Sequence, residues 1–310
     1  MSQRLPAPIS EPRNGIPGRP PPYDEGVASR DTGLFGPDSV TWRVQAEPAM
    51  LIGGLRSLLV QALNPLAMAG VAEHSTYKED SWGRLMATSN FIVDTTYGDT
   101  PTAMAAIEKV RRIHKYVRGF DHMTRQPYSA DDPPLLLWVH ATEVHSFLTA
   151  YRRYGPGLSD ADADQYVDEM AQIAILLGAD DDEVPRNAAD LSSYLRGEEL
   201  VITPAAKDAM RFILYPPVPW PEGRAPQVPG GRLALIPGRA GWSLFGVATI
   251  AILPARVRKA YGLPWIPLTP PLKASVFALT RAMALLMPPP PSLKRALERG
   301  EAVSRTDSAA

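Results

Sequence analysis

The stretch EPAMLIGGLRSLLVQALNPLAMAGV, residues 47–71, is apolar on nearly every side of a helical projection. A helix with one polar face can lie on a surface, whereas a helix with none has to be enclosed by other elements. Pro65 interrupts the run, so two helices are expected in place of one. The chain has 310 residues and 45% apolar content, enough for one large core around such a segment.

Beyond residue 71 most of the chain is punctuated as helix. Asp80 or Ser81 can cap a helix on which Arg84, Thr88, Phe91 and Thr95 share a face. Thr100-Pro101, Asp132-Pro133 and Thr203-Pro204 each place a capping residue before a proline that fits the first turn, and Ser159 with Asp162 makes a capping box. Gly119 and Gly155 read as stops. No window alternates convincingly as a strand. The expected class is therefore all-α, one multi-helix domain over residues 41–298. A Pro-rich arm at 1–40 and a polar tail at 299–310 are expected to be disordered. Beyond Tyr215, PPVPWPEGRAPQVPGG is a connector, and two further apolar helical stretches lie near 241–252 and 270–287.

The 32 basic and 33 acidic residues nearly cancel, which argues against a nucleic-acid partner. The chain has no cysteine, so disulfides, thiolate metal sites and iron–sulfur clusters are excluded. The longest uncharged stretch, at 241–255, is too short to span a bilayer, although it could touch a membrane surface. The expectation is a soluble, cytoplasmic protein with no signal peptide.

All five histidines, His74, His114, His122, His140 and His145, fall within residues 74–145. His140 and His145 in HATEVH are five apart, whereas a zinc helix needs four. No paired Glu-x-x-His motif, phosphate loop or nucleophile elbow is present. In TPTAMAAIEKVRRIHKYVRG, helical spacing puts Met104, Ile107, Val110, His114 and Val117 on one apolar stripe, with Arg111 and Arg118 one turn either side of His114. A core histidine bonded to backbone would satisfy this pattern. So would a haem ligand, with the arginines neutralising the propionates and Arg84 and Thr88 lining another wall.

LLVQALNPLAMAGVAEHSTY, GRLMATSNFIVDTTYGD, VRRIHKYVRG, PYSADDPPLLLWVHAT and YVDEMAQIAILLG occur in this order and resemble the mpaB-type and rubber-oxygenase (latex-clearing protein) catalytic domain family, from about Glu47 to Tyr261 with RVRKAYGLPW as a late feature. The resemblance implies an all-helical fold with a globin-like core, one b-type haem held through His114, and Arg84 and Thr88 near it. It further implies a haem-dependent oxygenase acting with dioxygen on an apolar organic molecule. A non-catalytic haem or lipid carrier is the alternative. Two departures stand out. Ala87 replaces a lysine that can close the far side of the iron in the rubber enzyme, and Asn64-Pro65 replaces the His-Pro of closer relatives, so polyisoprene cleavage does not carry over. His140 in WVHAT recurs in those relatives and is a candidate propionate contact or a structural residue. Glu73 and His74 are candidates for proton movement on the distal side.

Overall fold

The computed structural model describes residues 31–216, 235–286 and 292–298. At its centre α2 (Met50–Gln61) packs along α6 (Pro133–Tyr154), and α9 (Pro204–Leu214) and α10 (Leu235–Ala251) cover other sides of α2. This is the enclosure that an all-round apolar helix requires: Ile52, Leu55, Leu59 and Val60 are buried. The approach to α6 is closest at Gly53, where an added Cβ would stand 2.7 Å from the Phe147 ring and 3.2 Å from its Cα. After α2 the chain bends by 105° into α3 (Pro65–His74). The Asn64 side chain stabilises the bend by accepting the N–H groups of Leu66 and Ala67, each at 3.0 Å, at a helix start where Pro65 has no N–H to satisfy.

α4 (Ser81–Tyr97) and α5 (Thr100–His114) are joined by Gly98 and Asp99 alone, so they run antiparallel and the start of α4 lies beside the end of α5. Asp80 caps α4 through the Gly83 N–H, and Asp99 caps α5 through the Thr102 N–H. Asp31 adds a second acceptor for Thr100, bonding both its N–H and its hydroxyl. α6 begins after Asp132, and α7 (Asp160–Leu177) begins under the Ser159–Asp162 cap. α8 (Ala188–Gly197), α11 (Ala255–Tyr261) and α12 (Pro270–Leu286) complete the numbered helices, and residues 292–298 are also helical. The all-α class holds.

Three expectations need correction. Gly119 does not end the His114 helix. α5 stops at His114 with Lys115 as its C-cap, and the chain enters an antiparallel hairpin of β1 (Arg118–Asp121) and β2 (Gln126–Ser129). The strands RGFD and QPYS are too short and too polar to show an apolar alternation, so the pairing is fixed by packing of one face on α3. Arg118 consequently lies on a strand, off the helical stripe that contains His114. The arm also joins the fold earlier than residue 41: Phe35 is buried, its carbonyl accepts the Trp42 indole N–H, and α1 (Val40–Gln45) packs on α7. Residues 1–30, the connector at 217–234 and the tail at 299–310 lie outside the described residues. Among the described residues no single helix is long and apolar enough to cross a membrane, although the bent pair α2–α3 passes by length and composition.

Candidate functional site

The short α4–α5 connection brings together two residues 30 positions apart in sequence, Arg84 and His114. Burial lowers the His114 pKa first, and the Arg84 guanidinium lowers it further, against a smaller opposing effect of Asp131. The imidazole is therefore held neutral, which is the form that can donate a lone pair to a metal. Its Nδ1 is buried without a hydrogen-bond partner among the described residues. A buried ring nitrogen ordinarily has a partner, and the described residues do not supply one. Asp131, just before α6, feels both Arg118 and His114 and is held below the usual carboxylate range, chiefly by its bond from Ser129. Arg84, His114, Asp131 and Arg118 thus form one neighbourhood where α4, α5, the hairpin and the start of α6 converge.

The Arg84 face of α4 is graded in burial. Arg84 is exposed, Thr88 and Phe91 are half-buried, and Thr95 is buried, so the stripe runs from a mouth to the interior. The hydroxyls of Thr88 and Thr95 bond back to the carbonyls of Arg84 and Phe91 on their own helix, so neither occupies the space in front of the face. Among the described residues no side chain of α4 before Thr95 is fully buried, although Leu85, Phe91, Ile92 and Val93 are apolar. Arg84 is open to water and is nevertheless desolvated enough for its pKa to fall. Phe91, half-buried on the same face, is apolar surface that a bulky apolar group would cover.

Other candidates are placed differently. Arg111 is exposed in the last turn of α5, and the Arg118 guanidinium donates to the Lys115 carbonyl. Met104 and Val110 on the predicted stripe are exposed and half-buried respectively, and Ile107 alone carries it into the core. Glu73 accepts the Tyr128 hydroxyl, and the His74 ring meets Tyr128 edge-on with centroids 6.2 Å apart. These two residues clamp the hairpin to α3. The clamp needs Gly119, since a Cβ there would stand 2.5 Å from the Tyr128 oxygen. His140 is buried at 8% exposure, and desolvation pushes its pKa down to about 4, so it is a neutral core imidazole.

Two groups on or beside α6 carry no signal in the sequence. Arg56 on α2 is buried and has no carboxylate partner among the described residues. It donates to the Ile252 carbonyl, the Ser146 hydroxyl and His145 Nδ1 at 3.1, 2.6 and 3.1 Å, and desolvation pulls its pKa to about 9. His145 is thereby turned away from His140, and burial together with the Arg56 and Arg196 charges lowers it to about 3. Glu143 forms no hydrogen bond or ion pair among the described residues, is only half-buried, and is raised to about 7 by desolvation. A charged residue inside an apolar helix ordinarily reads as a solvated edge, and no local pattern marks Arg56 or Glu143 as anything else. Among the described residues no cluster of three or more metal-ligating side chains occurs.

No curated protein and no solved structure matches the chain. Residues 42–286 match the catalytic domain described as ER-bound oxygenase mpaB/B'/rubber oxygenase, which covers most of the chain, and the protein belongs to that oxygenase family.

Proposed function

We propose that the protein is a haem-b-dependent oxygenase that uses dioxygen on an apolar organic molecule, with His114 as the single protein ligand to iron. The observation that carries this reading is His114 itself: a neutral imidazole beside the Arg84 cation, with a buried nitrogen that has no partner among the described residues. The residues fit the group. Bound haem would supply an iron centre that binds and activates dioxygen.

The chain's own residues have separate tasks. Burial keeps His114 unprotonated at neutral pH, so its lone pair is available. Arg84 is the best-placed partner for a propionate, because a desolvated guanidinium gains most from an anion within reach. Arg111 and Arg118 are exposed enough to serve the outer edge, and Thr88 offers a polar atom on the inner wall. Phe91, half-buried on the face of α4 that carries Arg84 and Thr88, offers apolar surface to a substrate. Glu73 and His74 lie close enough to the hairpin to move protons at its base, with Glu73 already bonded to the Tyr128 hydroxyl. His140 supports α6 from within the core.

Two measurements test the reading. Pyridine haemochrome analysis of the protein purified from haem-replete cells should give about one haem b per chain. An oxygen electrode trace of the haem-loaded protein with a panel of apolar compounds should show sustained consumption with at least one of them. Haem without turnover would favour the carrier, and a colourless protein that refuses haem would overturn both.

A further inference from the structure

The hairpin beside His114 has two unlike faces. Gly119 and Tyr128 face inward onto α3, while Arg118 and Phe120, opposite Ser129 and Pro127 in the register, take the alternate face and are exposed. Phe120 stacks edge-on with His122 at 5.4 Å, outside the core. Large apolar side chains continue from this face to both neighbours. Phe120 is 46% exposed, Met123 at the tip 59%, Tyr116 in the preceding turn 78%, and Ile113 at the end of α5 51%. Cations are interleaved with them: Arg112, Lys115, Arg118 and Arg125 are all exposed, and none forms an ion pair among the described residues. The opposing carboxylates are Glu108, one turn before Arg112 on α5, Asp121, engaged by Thr124, and Asp131 and Asp132 beside Arg118.

From this juxtaposition of unpaired cations and projecting apolar side chains, we infer that the end of α5 and the hairpin form a docking surface for an anionic lipid membrane. The protein as a whole is near neutrality, with 32 basic and 33 acidic residues, so a patch this cationic is a local feature. Exposed Tyr, Phe, Met and Ile at a turn and a hairpin tip, interleaved with Lys and Arg, are placed to reach acyl chains while the cations remain at the headgroup phosphates. This surface is defined without reference to haem, so its test stands apart from that of the oxygenase reading.

The experiment is co-sedimentation of the full-length protein with phosphatidylcholine vesicles, with and without phosphatidylserine. The parent is expected to bind only the anionic vesicles and to be released by high salt. Two double variants are compared, Phe120→Ser with Met123→Ser and Arg112→Glu with Lys115→Glu, each checked for unchanged helical circular dichroism. Each should weaken vesicle binding by at least about tenfold. Three outcomes overturn the inference: failure of the parent to bind anionic vesicles, equal binding to neutral ones, or parent-like binding by both variants. Loss in the charge-reversed variant alone also overturns it, because that result describes a surface for an acidic partner that inserts nothing.

Discussion

A half-buried histidine beside an exposed arginine leaves one ring nitrogen open to a third group, because the neighbouring charge disfavours the protonated imidazole and holds it neutral. Arg84 lowers the His114 pKa, and no described residue takes its Nδ1. Arg84→Leu should therefore weaken haem retention, measured as faster transfer of haem to an acceptor globin, and a transfer rate equal to the parent's would assign Arg84 elsewhere. Ala87 cannot donate to a metal, so the ferric spectrum should have substantial high-spin character; a purely low-spin spectrum that turns high-spin in His74→Ala would make His74 the sixth ligand. Glu143 gives a prediction independent of haem. Its folded carboxyl holds a proton up to about pH 7 against an ordinary value of 4.5, so the folded state binds more protons between those values and loses stability as pH rises through them. Glu143→Gln should raise stability in urea denaturation at pH 8 by roughly 2 kcal/mol and leave it nearly unchanged at pH 4. His140 and His145 act with the opposite sign. Their folded values of about 4 and 3 lie below the ordinary 6.5, so stability falls as pH drops below 6.5, and between 4.5 and 6.5 these two sites outweigh Glu143. His114 and Arg84 can be singled out from sequence because helical periodicity and resemblance meet there. Glu143 and Arg56 cannot, because a carboxylate or guanidinium within an apolar helix carries no sign of whether water reaches it.

At the scale of elements, glycine contacts set which helices may approach. Gly53→Ala places a methyl group against Phe147 Cα, a backbone atom that cannot rotate away, and should cost about 1–3 kcal/mol in thermal or chemical denaturation. The same change at the neighbouring Gly54, whose Cβ would find only the Phe147 ring at 4.0 Å, should be nearly neutral or slightly stabilising. Helix starts are readable to within a residue or two at Asn64-Pro65, Thr100-Pro101, Asp132-Pro133, Ser159 and Thr203-Pro204, because capping is local chemistry decided by neighbours in sequence. The hairpin is not readable. Its pairing depends on Tyr128 reaching Glu73 across 55 positions, and no local pattern announces that contact. For the same reason a helix continued through Val117 and Arg118 on periodicity runs too long.

Across the whole molecule, the late helices are tied back to the early ones by a few polar bonds that span the chain. Tyr261 donates to the Leu59 carbonyl at 2.8 Å, and Arg281 on α12 meets the buried Glu47 carboxylate at 2.8 Å. Both ties lie within residues 42–286, the range matched by the family's catalytic domain. The all-α architecture follows from the apolar segment at 47–71 and the row of caps, whereas the burial gradient along the Arg84 face of α4 is visible only in three dimensions. The most direct test of the proposed chemistry compares the haem content and electronic spectra of parent, His114→Ala and His140→Ala prepared side by side. His114→Ala should lose most of the haem while keeping its helical circular dichroism, and His140→Ala should retain it. Undiminished haem in His114→Ala, or loss confined to His140→Ala, would contradict the assignment of His114 as the iron ligand.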